Sequence, residues 1–320
     1  MTHAWKALVA ATLLALTCSR AQAETAPCEV SKPVVFAGLD WASNAFHTAV
    51  AQRILRDGYG CKVDTVPGTT VALINGVARG DLQVVMEVWK ANTPPSWTTA
   101  LAAGKVVEAG VNFPDATQGW YVPRYLVEGP KALAPGLRSV TDLPRFKGVF
   151  SDPEEPGKGR FYNCPAGWQC ELFNTQKLTA YGLAPAYTNF RPGTGAALDA
   201  AITSALKRKR PVLFYYWGPS WLLGQWGQDL VMLQEPPATA YPKVQVVVGV
   251  SKAFADQAPT LMAFLKRYRT NAQVVSEALA HLQSTQSSAD EAARDFLRTH
   301  EALWTTWVTP AAAERVKRGL

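Results

Sequence analysis

The sequence predicts an α/β fold of two lobes joined by a two-strand hinge, with a ligand cleft between them. Strand-like and helix-like segments alternate in short units, which implies parallel sheet with right-handed crossovers. About 297 residues follow an export signal, more than one typical core holds. Two extended crossovers, 119–126 and 244–250, bracket a middle segment. They divide the chain into one lobe of residues 24–117 with 244–320 and another of residues 118–243.

Residues 1–23 read as an export signal: Lys6, an apolar stretch from Ala7 to Leu16, and the small-x-small site Ala21-Gln22-Ala23. The apolar stretch is too short to span ~30 Å of hydrocarbon. Ala15-Leu16-Thr17 before Cys18 matches a lipid-attachment box poorly. Cleavage near Ala23 therefore releases a periplasmic protein. It also removes Lys6 and Arg20, lowering the net charge from +7 to +5.

Residues 33–38 form a buried strand, and Ser43 or Asn44 caps a helix running to about residue 56, with Ala45, Ala49, Ile54 and Leu55 as apolar positions. Gly58 and Gly60 stop it. A strand at 62–66, a helix at 70–79 and a strand at 83–89 complete a β-α-β-α-β run. Ligands of such sheets bind beyond the carboxyl ends of the strands. That edge receives Trp41, Ser43 and Asn44 after the first strand, and Trp89 to Thr93 after the third. Further on, Thr141 opens a short helix, 148–150 is a strand, and 144–159, rich in Pro, Gly and charge, is the least ordered stretch. Helices at 171–181 and 195–208 and a strand at 211–217 follow, and helices dominate from Ala258 to the end.

Four cysteines remain after cleavage: Cys28, Cys61, Cys164 and Cys170. An even set in an exported chain points to disulfides, with three connectivities open. Proximity favours Cys164–Cys170, leaving Cys28–Cys61. The spacings are not CxxC-like and no His pair lies near, so no metal is expected. The basic run Lys207-Arg208-Lys209-Arg210 ends a helix, where cations suit the dipole, and implies no nucleic acid. With four histidines in the chain, no HExxH, no GxSxG and no phosphate loop, neither an enzyme nor a cofactor is indicated. A periplasmic hydrolase is the weaker alternative, because triads are not local in sequence.

Three of the eleven tryptophans stand at element ends beside loop-formers. Trp89 closes a strand before Thr93-Pro94-Pro95, Trp168 lies inside the clip Cys164–Cys170, and Trp217 precedes Gly218-Pro219. Rigid indole faces grouped at a surface suit a cation, above all a quaternary ammonium group. Trp120, Trp221, Trp304, Trp307 and His47 read as structural. Glu87 shares a strand face with Trp89 and is either a counter-ion or a surface strand end.

Asp40-Trp-x-Ser43…His47-Thr-Ala, Val66-Pro-Gly68, Gly80-Asp81-x-x-Val84-x-Met86-Glu-Val-Trp89, the clip Cys164-Pro-Ala-Gly-Trp-Gln-Cys-Glu171 and Tyr215-Tyr-Trp-Gly-Pro-x-Trp221 together resemble the substrate-binding proteins of glycine-betaine-type ABC importers. The resemblance spans nearly the whole mature chain. It implies a type II periplasmic-binding-protein fold, a monomer, an inner-membrane ABC permease as partner and no enzymatic activity. It implies an aromatic box of Trp89, Trp168 and Trp217 around a trimethylammonium group, with the N–H groups of Gln169 and Cys170 on the ligand's carboxylate. Trp41 adds a wall, and Ser43, Asn44, Asn92 and Thr93 are polar partners. Thr93 stands where several relatives carry a histidine, so choline, carnitine or another betaine are alternative ligands. A sensory module using the same cleft is the rival function.

Overall fold

The computed structural model describes residues 28–242 and 244–320, and the expected export signal lies outside them. The strands are β1 (Val34–Leu39), β2 (Val63–Gly68), β3 (Val84–Trp89), β4 (Val106–Pro123), β5 (Gly159–Tyr162), β6 (Tyr187–Phe190), β7 (Leu213–Gly218), β8 (Leu230–Met232) and β9 (Val244–Ser251). The helices are α1 (Ala42–Arg53), α2 (Thr70–Arg79), α3 (Pro95–Ala102), α4 (Arg124–Val127), α5 (Gln169–Ala180), α6 (Gly195–Lys207) and α7 (Trp221–Trp226), followed by α8 (Lys252–Gln257), α9 (Pro259–Arg267), α10 (Ala272–Thr285), α11 (Ala289–Thr299), α12 (Glu301–Trp304) and α13 (Pro310–Arg318). None of these helices is long and apolar enough to cross a membrane.

The strands follow the order β2-β1-β3-β9-β4-β7-β5-β6, with β8 on β4. β1 pairs in parallel with β2 and β3, as short βα units dictate, and β5 pairs in parallel with β6 and β7. The two parallel groups meet through β9 and β4, which run antiparallel to their neighbours. β4 pairs with β9 up to Ala116 and with β7 from Thr117.

Alternation assigns the strand residues to two faces, except that a register shift between Val85 and Val88 brings Val88 to the side of Val85. Around β1 and β3, Phe36 and Met86 pack with α1 and the C-terminal helices, whereas Ala37, Leu39, Val85 and Val88 pack with α2 and α3. Trp304 and Trp307 are buried in the first of these cores, as their helical setting suggests. Trp120 stacks on Phe161 at 4.0 Å in a further core around β4, β5 and β7, its Nε1–H donating to Asn174 at 2.8 Å. His47 is fully buried against the Tyr268 hydroxyl at 2.8 Å, a structural role. The disulfides are Cys28–Cys61 and Cys164–Cys170.

Several local expectations are corrected. Trp41, not Ser43 or Asn44, is the N-cap of α1, because the backbone turns helical already at Ala42. The helix then relaxes into a π-type turn, Ile54–Gly58. Residues 148–150 are turn, not strand. The neighbouring loop is pinned by an ion pair between buried Arg160 and Asp152 at 2.6 Å, with Asp152 also accepting the Glu154 N–H. β4 begins far upstream of the crossover expected at 119–126, and β5, β6 and β8 were not anticipated.

Candidate functional site

The ends of β1, β3 and β7 and the starts of α2 and α5 converge on one cleft. Its walls include Trp41, Thr70, Ile74, Glu87, Trp89, Asn92, Thr93, Trp168, Gln169, Cys170, Tyr215 and Trp217. Together the lining encloses about 480 Å³ not filled by protein atoms, counting the open mouth. The indole of Trp168 stands edge-on between Trp41 and Trp217, with ring centroids at 5.0 and 5.3 Å. Trp217 is held by stacking on Tyr216 at 4.4 Å, and Trp89 is braced edge-on by Phe113 at 6.0 Å. Such offset and edge contacts fix ring orientation.

Beneath the rings lies Glu87, 1% exposed. Its Oε2 accepts the indole N–H of Trp41 at 2.8 Å and that of Trp89 at 3.0 Å. Its Oε1 finds no hydrogen-bond partner among the described residues. Burial pushes this carboxyl up to about 7, against the two indole donors and the nearby Ser43 hydroxyl, which favour its charged form. The surface-strand reading of Glu87 therefore fails. Glu87 is the only charged residue among those lining the cleft.

Gln169 and Cys170 open α5, and for their backbone N–H groups no acceptor is found among the described residues. They line the cleft together with Thr70, the first residue of α2, so the starts of two helices border it. Free N–H groups at a helix start form an anion site. The clip Cys164–Cys170 ties the segment that carries them.

The polar residues divide. Asn92 and Thr93 line the cleft, but the Asn92 amide is engaged with Gln118, whose Oε1 also accepts from the Tyr215 hydroxyl at 2.7 Å. Ser43 and Asn44 do not reach this lining. As first-turn residues of α1 they turn inward, and Asn44 accepts the Leu39 N–H at 2.9 Å. Tyr215, Thr70 and Ile74 were missed. Tyr215 was legible in principle, since it lies two residues before Trp217 on one strand face. Trp221 stands outside this cleft, its Nε1–H donating to Asp199 at 3.0 Å.

The model of the family described as the substrate binding domain of ABC-type glycine betaine transport system matches residues 32–299. The chain is 26% identical over 289 residues to the trimethylamine N-oxide-binding protein of Pelagibacter ubique, covering 86% of this chain and 90% of that protein. Among solved structures, the glycine betaine, L-proline-binding ProX of Borrelia burgdorferi superposes with a TM-score of 0.75 at 18% identity, over 89% of this chain and all of that one. Lactococcal OpuAC, closed on glycine betaine, superposes with a TM-score of 0.73 at 19% identity, over 87% of this chain and 100% of that one. Both likenesses show the two-lobed binding-protein fold.

Proposed function

The chain belongs to the family of substrate-binding domains of ABC-type glycine betaine transport systems, and from that premise we propose that it captures a compact trimethylammonium compound between Trp41, Trp89, Trp168 and Trp217, with Glu87 as counter-charge. The observation that carries this is Glu87: a buried acid whose one oxygen is held by two box indoles while the other, with the Ser43 hydroxyl nearby, completes no hydrogen bond. A quaternary ammonium offers no N–H donor, so only π-faces and an anion can select it, at about 0.5–2 kcal/mol for each ring. An ionised carboxylate set beneath those rings adds a longer-range attraction strengthened by low dielectric.

The polar end of the ligand rests on the Gln169 and Cys170 N–H groups. With no Lys, Arg or His among the residues lining the cleft, backbone N–H groups are the donors proposed for this end. Glycine betaine and trimethylamine N-oxide, named for relatives, both fit this proposal.

The same reading places residues 24–117 and 244–320 in one lobe and 118–243 in the other. Support comes from β4, which changes partner from β9 to β7 between Ala116 and Thr117. Residues 1–23 direct export to the periplasm, where the closed protein delivers its ligand to an ABC permease. In this reading the protein acts as a monomer.

Titration with glycine betaine, trimethylamine N-oxide, choline and carnitine, followed by tryptophan fluorescence, tests the ligand class. The control is 3,3-dimethylbutan-1-ol, choline's uncharged carbon isostere. Saturable binding of a trimethylammonium compound with none of the isostere is expected. Equal binding of the isostere, or binding of a sugar or an amino acid alone, overturns the reading.

A further inference from the structure

We infer that Asp40 is the latch that joins the two lobes through Trp168, an inference that rests on the cleft being the ligand site. Asp40 follows β1 on the first lobe, and Trp168 stands at the start of α5 on the second. Across this divide the Trp168 Nε1–H donates to Asp40 Oδ1 at 2.6 Å, between residues 128 apart in sequence. The bond fixes the indole whose edges meet Trp41 and Trp217. Asp40 is absent from the cleft lining, so it acts through Trp168 as a positioning residue.

The surrounding contacts let the lobes come close enough for this bond. A Cβ on Gly195 would stand 3.1 Å from the Trp168 ring and 3.2 Å from the Asp40 carbonyl oxygen. Gly167, at φ +88°, packs so tightly that a Cβ there would stand 3.0 Å from the Thr69 side chain. Its carbonyl accepts the Val71 N–H at 3.4 Å. Asp40, Thr69 and Val71 of one lobe thus meet Gly167, Trp168 and Gly195 of the other.

A charge-assisted bond between lobes exists only once they have met. When they part, water can hydrate both the carboxylate and the indole N–H. The latch therefore acts on release of the ligand and not on its arrival, in the way most affinity differences between related complexes reside in dissociation.

Stopped-flow tryptophan fluorescence on wild type, Asp40→Asn and Asp40→Ala, with glycine betaine, choline and trimethylamine N-oxide as probes, tests this. Asp40→Ala should raise the dissociation rate about tenfold while changing the association rate less than about threefold. Asp40→Asn, which keeps an acceptor oxygen, should stay within about threefold of wild type. In ¹⁵N spectra the Trp168 indole signal, assigned by its loss in Trp168→Phe, should move in Asp40→Ala and hold in Asp40→Asn. An unchanged dissociation rate in Asp40→Ala overturns the latch, and so does an equal loss of melting temperature in both variants. If wild type binds none of the probes, the ligand class fails while the indole signal still decides the latch: a Trp168 signal unmoved in Asp40→Ala overturns it.

Discussion

Trp41 donates its indole N–H to Glu87 across 46 residues of sequence, at 2.8 Å, and the oxygen it reaches is the one that Trp89 also holds. The aromatic walls and the buried acid are therefore one unit. The acid orients two rings, and its second oxygen, with the Ser43 hydroxyl nearby, completes no hydrogen bond among the described residues.

A first consequence is pH-dependent capture. Glu87 sits at about 7 in the empty site, and a cation favours its ionised form. Affinity for a trimethylammonium probe should therefore rise with pH up to about 7, by as much as about tenfold per unit below it, and level off above. Glu87→Gln should bind about ten- to a hundredfold more weakly at pH 8 and show a flat profile, as measured by calorimetry from pH 5 to 8. A flat profile in wild type would refute the counter-charge role.

The same group shapes stability in the opposite sense. Its folded value lies above its ordinary 4.5, so the native state binds the extra proton between there and about 7. Ligand-free stability should fall as pH rises through that window, by on the order of 3 kcal/mol. His47, lowered by burial from 6.5 to about 3, works the other way: its contribution is complete above 6.5 and lost as pH falls toward 3. Urea unfolding of wild type and Glu87→Gln separates the two. The stability of the variant relative to wild type should grow from pH 4 to 8, and a constant difference would count against a protonated native Glu87.

Ring and donor can also be parted at one position. Trp89→Phe keeps an aromatic face but removes one of the two N–H groups that pull Glu87 down. The midpoint of the binding profile should move to higher pH, whereas Trp217→Ala, which donates nothing to Glu87, should cost about 0.5–2 kcal/mol of affinity without moving it. Calorimetric pH profiles of the two variants measure both effects. Identical midpoints would mean that the indole donors do not tune the acid.

Much of this was legible before any coordinates. Tryptophans beside Pro and Gly at element ends, an even set of cysteines and the βα alternation all reflect local chemistry, and the elements at 70–79, 83–89 and 195–208 fell within a residue or so of the structure. Long-range pairing was not legible. Nothing near Trp41 announces Glu87, and nothing near Asp40 announces Trp168, because each bond joins the ends of separate strands or lobes. Ser43 and Asn44 have the right chemistry for a cap, but the extended backbone at Trp41 takes that position and turns them into the core. The start of β4 was hidden because its ladder with β9 shifts register between Glu108 and Ala116, where Gly110 packs so closely on Lys266 that a Cβ would stand 2.5 Å from its carbonyl oxygen.

The two disulfides should separate stability from binding. Cys28–Cys61 closes a separation of 33 residues, and neither cysteine belongs to the cleft lining. Loop-closure entropy assigns its loss about 3–4 kcal/mol of stability. Cys164–Cys170 closes only six residues, for which the same argument gives about 2 kcal/mol. Yet this short clip carries Trp168 and ends at the free N–H groups of Gln169 and Cys170, so its removal makes binding order what the bridge had already ordered. Cys164→Ala with Cys170→Ala should therefore weaken ligand binding by about tenfold or more for the smaller loss of stability. Cys28→Ala with Cys61→Ala should lose more stability and leave affinity within about twofold. Urea unfolding and calorimetry on the two double variants give both numbers, and equal affinities in the two would show that the clip braces the fold and not the site.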